Sequence, residues 1–149
     1  MEEQNIFELI HNMDNFTNKL IIQWNKAFNE DLGVSHVLVL SHLHQHGKSR
    51  PSDIAKKLGF TPPTLSYLSD KMVAKELVVR MVDEADRRII YLNITDKGTE
   101  VLGRAILEGQ KLRKSLFQKL NEEDRAQLVH IFEKMNREDG ALDSKGDRR

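Results

Sequence analysis

Apolar residues recur near the start of the chain at three-, four- and seven-residue intervals. This spacing predicts one stripe of a long first helix, which is expected to stop before Gly33, a residue suited to a left-handed helix end. Residues 34–45 are apolar on nearly every face, so they predict a second helix that is buried among others and ended by Gly47. The stripe of the first helix consists of Ile6, Ile10, Met13, Leu20, Trp24 and Phe28.

A pair of short helices is predicted next. The first is closed by Gly59. Thr61 suits the N-cap of the second, because its hydroxyl can accept an N–H of the first turn. Pro62 and Pro63 are tolerated there, since the first N–H groups of a helix lack intrahelical partners. This helix, the fourth of the chain, is expected to extend to about Lys75. The inward-facing residues of the pair are Ile54, Ala55 and Leu58, followed by Leu65, Leu68 and Met72.

Beyond the helix pair the pattern changes to period two with β-branched residues, which predicts two strands around a polar turn. Thr95 then caps a long helix and Asn121 caps the last one, each with acidic residues in the first turn, where the helix dipole favours them. The strand residues are Val78, Val79, Val82, Ile89, Ile90, Tyr91, Leu92 and Ile94. The inward stripes of the two helices are Leu102, Ala105, Ile106, Leu112, Leu116 and Leu120, then Leu128, Ile131, Phe132 and Met135.

This order of elements predicts a mainly α fold with a small β-hairpin, the arrangement of a winged helix-turn-helix. Aromatic residues make up 6% of the chain, charged residues make up 31%, and there are three prolines, which favours a helical protein over a sandwich or barrel. At 149 residues the chain fits one domain, or a compact module with helical extensions, and we treat it as one intertwined domain overall. Its segments are 1–33, a long helix; 34–98, the winged helix-turn-helix; 99–137, the last two helices; and 138–149, a flexible tail.

The formal net charge is zero, so the distribution of charge is more informative than its sum. Residues 1–33 have two lysines against six acidic residues, and residues 34–47 have neither kind. Residues 48–97 have ten basic against seven acidic residues, and residues 98–149 have eleven against ten. The positive excess therefore lies on the helix pair and hairpin, although it is a modest footprint for nucleic acid.

Several classes of function are disfavoured by what the sequence lacks. Without cysteine the chain cannot use a disulfide, a thiolate nucleophile or a thiol redox switch. There is no apolar run of about 18 residues, and the polar, acidic N-terminus is unlike a secretory signal, so we expect a cytoplasmic protein with no membrane partner. No metalloprotease, phosphate-loop or nucleophile motif is present, so we expect neither an enzyme nor a cofactor.

The fourth helix has residues suited to reading a duplex. With its apolar face buried, helical geometry turns a polar set to the other side. Hydroxyl groups can exchange hydrogen bonds with base edges, and a methyl group or ring can lie against a thymine methyl, whereas a lysine is better placed for a phosphate. On an isolated helix such residues are more often solvated surface; the neighbouring helix and hairpin favour the DNA-reading interpretation. The set is Pro63, Thr64, Ser66, Tyr67 and Lys71.

The turn of the hairpin, residues 83–88, reads Asp-Glu-Ala-Asp-Arg-Arg. The planar forks of Arg87 and Arg88 suit a narrow minor groove and its flanking phosphates. Asp86 is expected to hold Arg88 extended, and Arg80 on the preceding strand completes the predicted DNA-binding set. The alternative is a charged turn whose ions merely pair with one another, which contributes little stability.

The run from residue 33 to residue 98 resembles the MarR family of bacterial transcriptional regulators, and with the flanking helices the resemblance covers nearly all of residues 5–137. The wing and the junction after it are its more specific parts. Pro62 and Pro63 depart from the family pattern, which usually has Ser, Thr or Arg there. The matching residues are Gly33-Val34-Ser35, Asp53-Ile54-Ala55-Lys56-Lys57-Leu58-Gly59, Leu68-Ser69-Asp70-Lys71-Met72, Asp86-Arg87-Arg88 and Leu92-Asn93-Ile94-Thr95-Asp96-Lys97-Gly98.

The resemblance implies a sequence-specific, ligand-responsive repressor that acts as a homodimer on palindromic double-stranded DNA and releases it when a small, often aromatic effector binds. The dimer would be joined by the first helix and the last two, which would make these helices N- and C-terminal dimerisation elements flanking the winged helix-turn-helix. Their apolar stripes are too long for the small central unit to cover, so a partner chain is independently expected. The sequence does not assign the effector pocket. Trp24, Phe28, His36 and Leu40 are the residues considered for such a cleft, and we expect them to be ordinary core and rim.

Two alternatives stay open. His42 and His46 share one face of the second helix at the spacing of metal ligands, so a zinc- or other metal-responsive regulator of the same fold is possible in principle, although His44 lies elsewhere and no cysteine completes the set. The other alternative is a winged-helix module for protein contact without DNA binding, which would make Arg87 and Arg88 dispensable.

Overall fold

A computed structural model describes the backbone of residues 1–146 and the side chains of residues 1–137. It is mostly helical with one two-stranded antiparallel hairpin, as predicted. Among the described residues, no helix has both the length and the apolar character needed to cross a membrane. The elements are α1 Glu2–Phe28, α2 Val34–His46, α3 Pro51–Leu58, α4 Pro62–Ala74, β1 Val78–Val82, β2 Ile90–Ile94, α5 Asp96–Phe117 and α6 Glu122–Gly146.

Side-chain caps set the start of three helices, and all three were predicted. The hydroxyl of Thr61 accepts the N–H of Thr64 at 3.3 Å, and that of Thr95 accepts the N–H of Gly98 at 3.0 Å. The amide oxygen of Asn121 accepts an N–H of the first turn of α6 at 2.8 Å. Each bond satisfies a donor that would otherwise lack a partner at the helix start.

Helix ends differ from the prediction in three places. α1 ends at Phe28 instead of near Gly33, because Asn29 takes the left-handed conformation (φ 48°) that asparagine tolerates. α5 ends at Phe117, three residues before Leu120, the last residue of its predicted stripe. α6 continues through Gly146, so the tail predicted from residue 138 is helical over most of its length. This stretch has no proline to end the helix, and its one internal glycine costs only about 1 kcal/mol. Residues 147–149 of that predicted tail lie outside the described residues.

The hairpin is a regular antiparallel pair in which Val78 faces Ile94 and Val82 faces Ile90. Ser49, just before α3, forms a bridge to Leu92 with two backbone hydrogen bonds of 2.8 and 3.0 Å. This isolated bridge attaches β2 of the hairpin to the segment just before α3.

The chain divides into two compact units, residues 1–110 and residues from 111 onward. The first contains the core, where α2, α3, α4 and the base of the hairpin meet. Trp24 stacks on Phe28 with ring centroids 4.8 Å apart and donates from Nε1 to the carbonyl of Ala105 at 3.0 Å. The fully buried core residues are Val39, Leu40, Leu43, Ile54, Leu65, Met72, Leu77, Val78 and Leu92.

Three of the long helices keep apolar residues in solvent. On α1 only Trp24 and Phe28 of the predicted stripe are buried, and Phe7 beside it is 70% exposed. Ile106, Ile131, Phe132 and Met135, which the sequence placed on the inward stripes of α5 and α6, are all exposed in this single chain. An exposed apolar face of this size usually marks an interaction surface.

Candidate nucleic-acid interface

α4 buries one face and presents the other to solvent. Leu65, Leu68 and Met72 pack inward as predicted, and the buried hydroxyl of Ser69 donates to the carbonyl of Leu65 at 2.7 Å, so it is satisfied within the helix. The predicted reading residues lie on the remaining surface: Pro63, Thr64, Ser66 and Tyr67 are all exposed, and Tyr67 is 73% exposed. A DNA major groove is wide enough to admit an α-helix, so this exposed surface could reach the base edges.

Lys71 does not lie with the exposed set. Its Nζ is 3.2 Å from Oδ2 of Asp31 in the loop between α1 and α2, and its side chain is one-third exposed. The lysine hydrogen bond and charge hold the pKa of the Asp31 carboxyl below its usual range. A phosphate bound by Lys71 would therefore compete with Asp31 or share the ammonium group with it. Local spacing could not reveal this pair, because Asp31 lies 40 positions before Lys71.

The turn of the wing holds its arginine as predicted. Asp86 accepts a fork from Arg88, with Nε to Oδ1 and Nη2 to Oδ2 both at 3.0 Å, and also its backbone N–H at 3.1 Å. These bonds keep the pKa of Asp86 low and raise that of Arg88. Asp83 in turn accepts the N–H of Asp86 at 3.0 Å. Arg88 is 90% exposed despite the pair, and Arg87 is exposed beside it.

A contact that the sequence pattern did not single out connects the two halves of the candidate interface. Arg80 on β1 donates to the carboxylate of Asp70 on α4, and both side chains are substantially exposed. Arg80 was predicted to contact DNA, whereas here it spans from the wing to the fourth helix. The two residues are ten positions apart on different elements, so only the packed hairpin brings them together. The pair joins β1 of the wing to an exposed residue of α4.

The loop between α2 and α3 adds two basic residues next to the helix pair formed by α3 and α4. Lys48 lies over the ring of Tyr91 on β2, with Nζ 4.9 Å from its centroid. Arg50 is the exposed N-cap residue of α3. Their only signal in the sequence was the positive count of residues 48–97.

The residues considered for an effector cleft are core. Trp24, Phe28, His36 and Leu40 are all buried, in line with the expectation. An open, mostly polar cavity of about 640 Å³ lies nearby in the first unit, bordered by the α1–α2 loop and the last turn of α4. Its lining residues are Asn25, Asn29, Glu30, Asp31, Leu32, Gly33, Lys71 and Lys75.

The histidines of α2 form a pair and not a larger cluster. The rings of His42 and His46 lie 4.6 Å apart between centroids, which confirms that they share one face. Within the described part of the chain, however, no group of three or more His, Cys, Asp or Glu side chains is arranged to hold a metal ion.

His36 is the buried titratable group of the first unit. Its Nδ1 accepts the N–H of Gly33 at 3.0 Å, and its Nε2 is buried without a hydrogen-bond partner among the described residues. Burial, and then the charge of Lys71, lower the pKa of His36 from 6.5. The ring is therefore neutral in the folded protein under conditions in which the unfolded chain begins to take up a proton.

We expect His36 to make the folded state sensitive to acid. Because its pKa is lower in the folded state, its contribution to stability is complete above 6.5 and is lost as the pH falls through 6.5 toward the folded value. Urea unfolding at pH 7.5 and 5.5 should show a larger loss of unfolding free energy for the wild type than for His36→Gln. The exposed control His44→Gln should behave as the wild type does, and an unchanged pH dependence in His36→Gln would contradict the assignment.

Comparison with known proteins gives a consistent set of relatives. The MarR family model matches residues 32–90, which contain the helix pair and the wing turn. The repressor MdtR of Bacillus subtilis is 30% identical over 102 residues, which are 68% of this chain and 65% of MdtR, so the chain spans less than two thirds of that relative. MdtR is named as a transcriptional repressor and not as an enzyme, which agrees with the expectation drawn from the sequence motifs.

Solved structures show the same fold. The YusO protein of Bacillus subtilis superposes with a TM-score of 0.77 at 22% identity and covers 92% of this chain and 98% of its own. The PcaV transcriptional regulator of Streptomyces coelicolor, solved in complex with its natural ligand, has a TM-score of 0.66 at 17% identity and covers 85% and 89%.

Proposed function

We infer the function of this chain from one premise: it belongs to the MarR family. On that basis we propose that it is a DNA-binding transcriptional repressor. The single observation that carries the proposal is the joint exposure of the α4 surface and the arginine tip of the wing, tied together by Asp70 and Arg80. Such a regulator works on chromosomal DNA, so we propose a cytoplasmic location.

The proposed mode of binding follows from the two surfaces. α4 enters the major groove, where Pro63, Thr64, Ser66 and Tyr67 meet base edges. Arg87 and Arg88 enter the adjacent minor groove or bind its phosphates. The first contacts give preference between sequences, whereas the second give affinity that salt weakens.

We further propose that the protein acts as a homodimer. Support comes from the many exposed apolar residues of α1 and α6, which a partner chain could cover. Two-fold symmetry then requires a palindromic operator with half-sites about one helical turn, roughly 34–36 Å, apart. A small, often aromatic effector that releases DNA is part of the same proposal, supported by the solved complex of PcaV with its ligand.

The dimer is tested by its mass in solution. Sedimentation equilibrium at micromolar concentration should give twice the chain mass of 17.2 kDa. Raising the salt to about 1 M should leave this mass unchanged, because apolar contacts, unlike ion pairs, are not screened. A mass of one chain under both conditions would contradict the dimer.

DNA binding is tested by selection. The protein is incubated with random-sequence duplexes and, separately, with fragments of the source genome, and the bound fraction is sequenced. We expect one palindromic motif from both pools, with affinity at least 1,000-fold above that for unrelated duplexes. Recovery of no motif, with equal affinity for all duplexes, would favour the protein-interaction alternative.

A further inference from the structure

The start of α4 lacks the feature that usually makes a helix N-terminus bind phosphate. Pro62 and Pro63 carry no backbone N–H. The N–H of Thr64 is bonded to the hydroxyl of Thr61, and the N–H of Leu65 is bonded to the Thr61 carbonyl at 3.0 Å. Every N–H of the first turn is therefore absent or already used, whereas phosphate capture at a helix start needs such groups to point outward. Recognition at this tip must depend on side chains.

The two threonine hydroxyls of the tip form a directed pair. Thr61 donates its hydroxyl proton to Oγ1 of Thr64 at 2.9 Å while its oxygen accepts the N–H of Thr64. A hydroxyl has one proton to give, so Thr61 has used its own, and Thr64 has been made an acceptor. The proton of Thr64 is then available to a partner other than Thr61, and a hydroxyl that accepts one bond is polarised toward donating another. Thr64 is exposed and so presents a hydrogen-bond donor to a ligand.

Beside this donor the tip is apolar. The exposed ring of Pro63 precedes Thr64, and Thr64 carries its own methyl group. In the major groove, thymine alone combines an acceptor, O4, with an adjacent methyl group; guanine has acceptors and no methyl, and cytosine presents a donor. We propose that Thr64, with Pro63, makes the tip of α4 a reader of thymine, with the hydroxyl donating to O4 and the apolar groups contacting the C5-methyl. This inference rests on the proposed function and specifies what α4 reads.

The test uses the full-length protein and modified duplexes. After selection of the motif, each thymine is replaced in turn by 5-methylcytosine paired with guanine, which keeps the methyl and removes the acceptor, or by uracil, which keeps the acceptor and removes the methyl. At one thymine of each half-site the wild type should lose about ten-fold in affinity with 5-methylcytosine. Uracil at the same position should cost about four-fold, the effect of one buried methyl group. The remaining thymines are the internal control.

Protein variants identify the residue. Thr64→Val keeps the shape and the Thr61 cap but has no proton to donate, so its affinities for thymine and 5-methylcytosine at that position should agree within about two-fold. Thr64→Ser retains the donor and should restore the preference for thymine. Circular dichroism checks that both variants keep the helical content of the wild type.

The outcomes separate this inference from the proposed function. A specific motif in which no thymine responds to 5-methylcytosine, or in which Thr64→Val keeps the full preference, overturns the thymine assignment and leaves DNA binding intact. If selection recovers no motif at all, both the inference and the proposed function fail.

Discussion

Replacing Gly98 with alanine is expected to lower the free energy of unfolding by about 3 kcal/mol, near the upper end for overpacking a buried site. An added Cβ would lie 2.2 Å from the carbonyl oxygen of Leu77 and 2.8 Å from Cγ1 of Ile94. The first of these atoms belongs to the backbone and cannot turn away as a side chain does. The start of α5 would have to move from the base of the hairpin, so denaturant unfolding should show a lower midpoint.

Gly103 provides the control for that experiment, because it lies on the same helix with no neighbouring atom within 4 Å of an added Cβ. Gly103→Ala should stabilise the protein by about 0.5–1 kcal/mol through helix propensity alone. If the two alanine variants had the same stability, the close approach at Gly98 would not exist in solution.

The reason that Gly98 is so constrained lies in the junction between the hairpin and α5. Thr95 donates its N–H to the Leu77 carbonyl at 3.0 Å and its hydroxyl proton to the Glu76 carbonyl at 2.7 Å. Glu76 itself has a positive φ of 62°, a conformation that is unfavourable for glutamate. The junction thus anchors the first residues of the wing to the helix that follows, and the position of the wing depends on it.

Local chemistry explains what could be predicted from the sequence. The caps at Thr61, Thr95 and Asn121 and the end of α3 at Gly59 each depend on one residue and its near neighbours, and all are present. The pair of Asp86 with Arg88 spans two residues and was predicted for the same reason. The chain itself holds residues this close in sequence near each other, so their spacing alone is enough to predict such contacts.

The features that could not be predicted from the sequence depend on packing between distant parts of the chain. The contacts of Lys71 with Asp31 and of Arg80 with Asp70 were not predicted, since each joins different elements through a surface carboxylate. Ile131 and its neighbours on α6, assigned to an inward stripe, are exposed in this single chain, because periodicity identifies an apolar face without showing whether it is covered by the same chain or by another.

These ion pairs change how the candidate interface is charged. Three of the cations predicted to bind DNA, Lys71, Arg80 and Arg88, each face a carboxylate in the structure. A phosphate must compete with that carboxylate or share the cation with it, so each contact yields less than an unpaired lysine or arginine would. Asp70 and Asp86 are already counted in the weak positive excess of residues 48–97, and only Asp31 adds a negative charge from outside that segment. We therefore expect low affinity for unrelated DNA and a greater dependence on base contacts.

Arg88→Ala is expected to weaken binding of the selected DNA roughly ten-fold, and to do so about equally for unrelated sequences. The guanidinium is 90% exposed and is held by Asp86 in one orientation, so little rotamer freedom remains to be lost on binding. Removing it deletes one phosphate or minor-groove contact, and the slope of log affinity against log salt should fall by about one. Fluorescence anisotropy between about 50 and 200 mM salt measures both quantities.

Arg88→Lys is the matched control, because it keeps the charge and loses the fork that Asp86 holds. Its salt slope should equal that of the wild type, while its affinity falls between the wild type and Arg88→Ala, since a flexible ammonium must be ordered on binding. This split between slope and affinity distinguishes a positioned arginine from a simple surface charge. If Arg88→Ala changed neither affinity nor slope, Arg88 would not contact DNA, and the hydrogen-bonded geometry of the turn would instead serve protein contact.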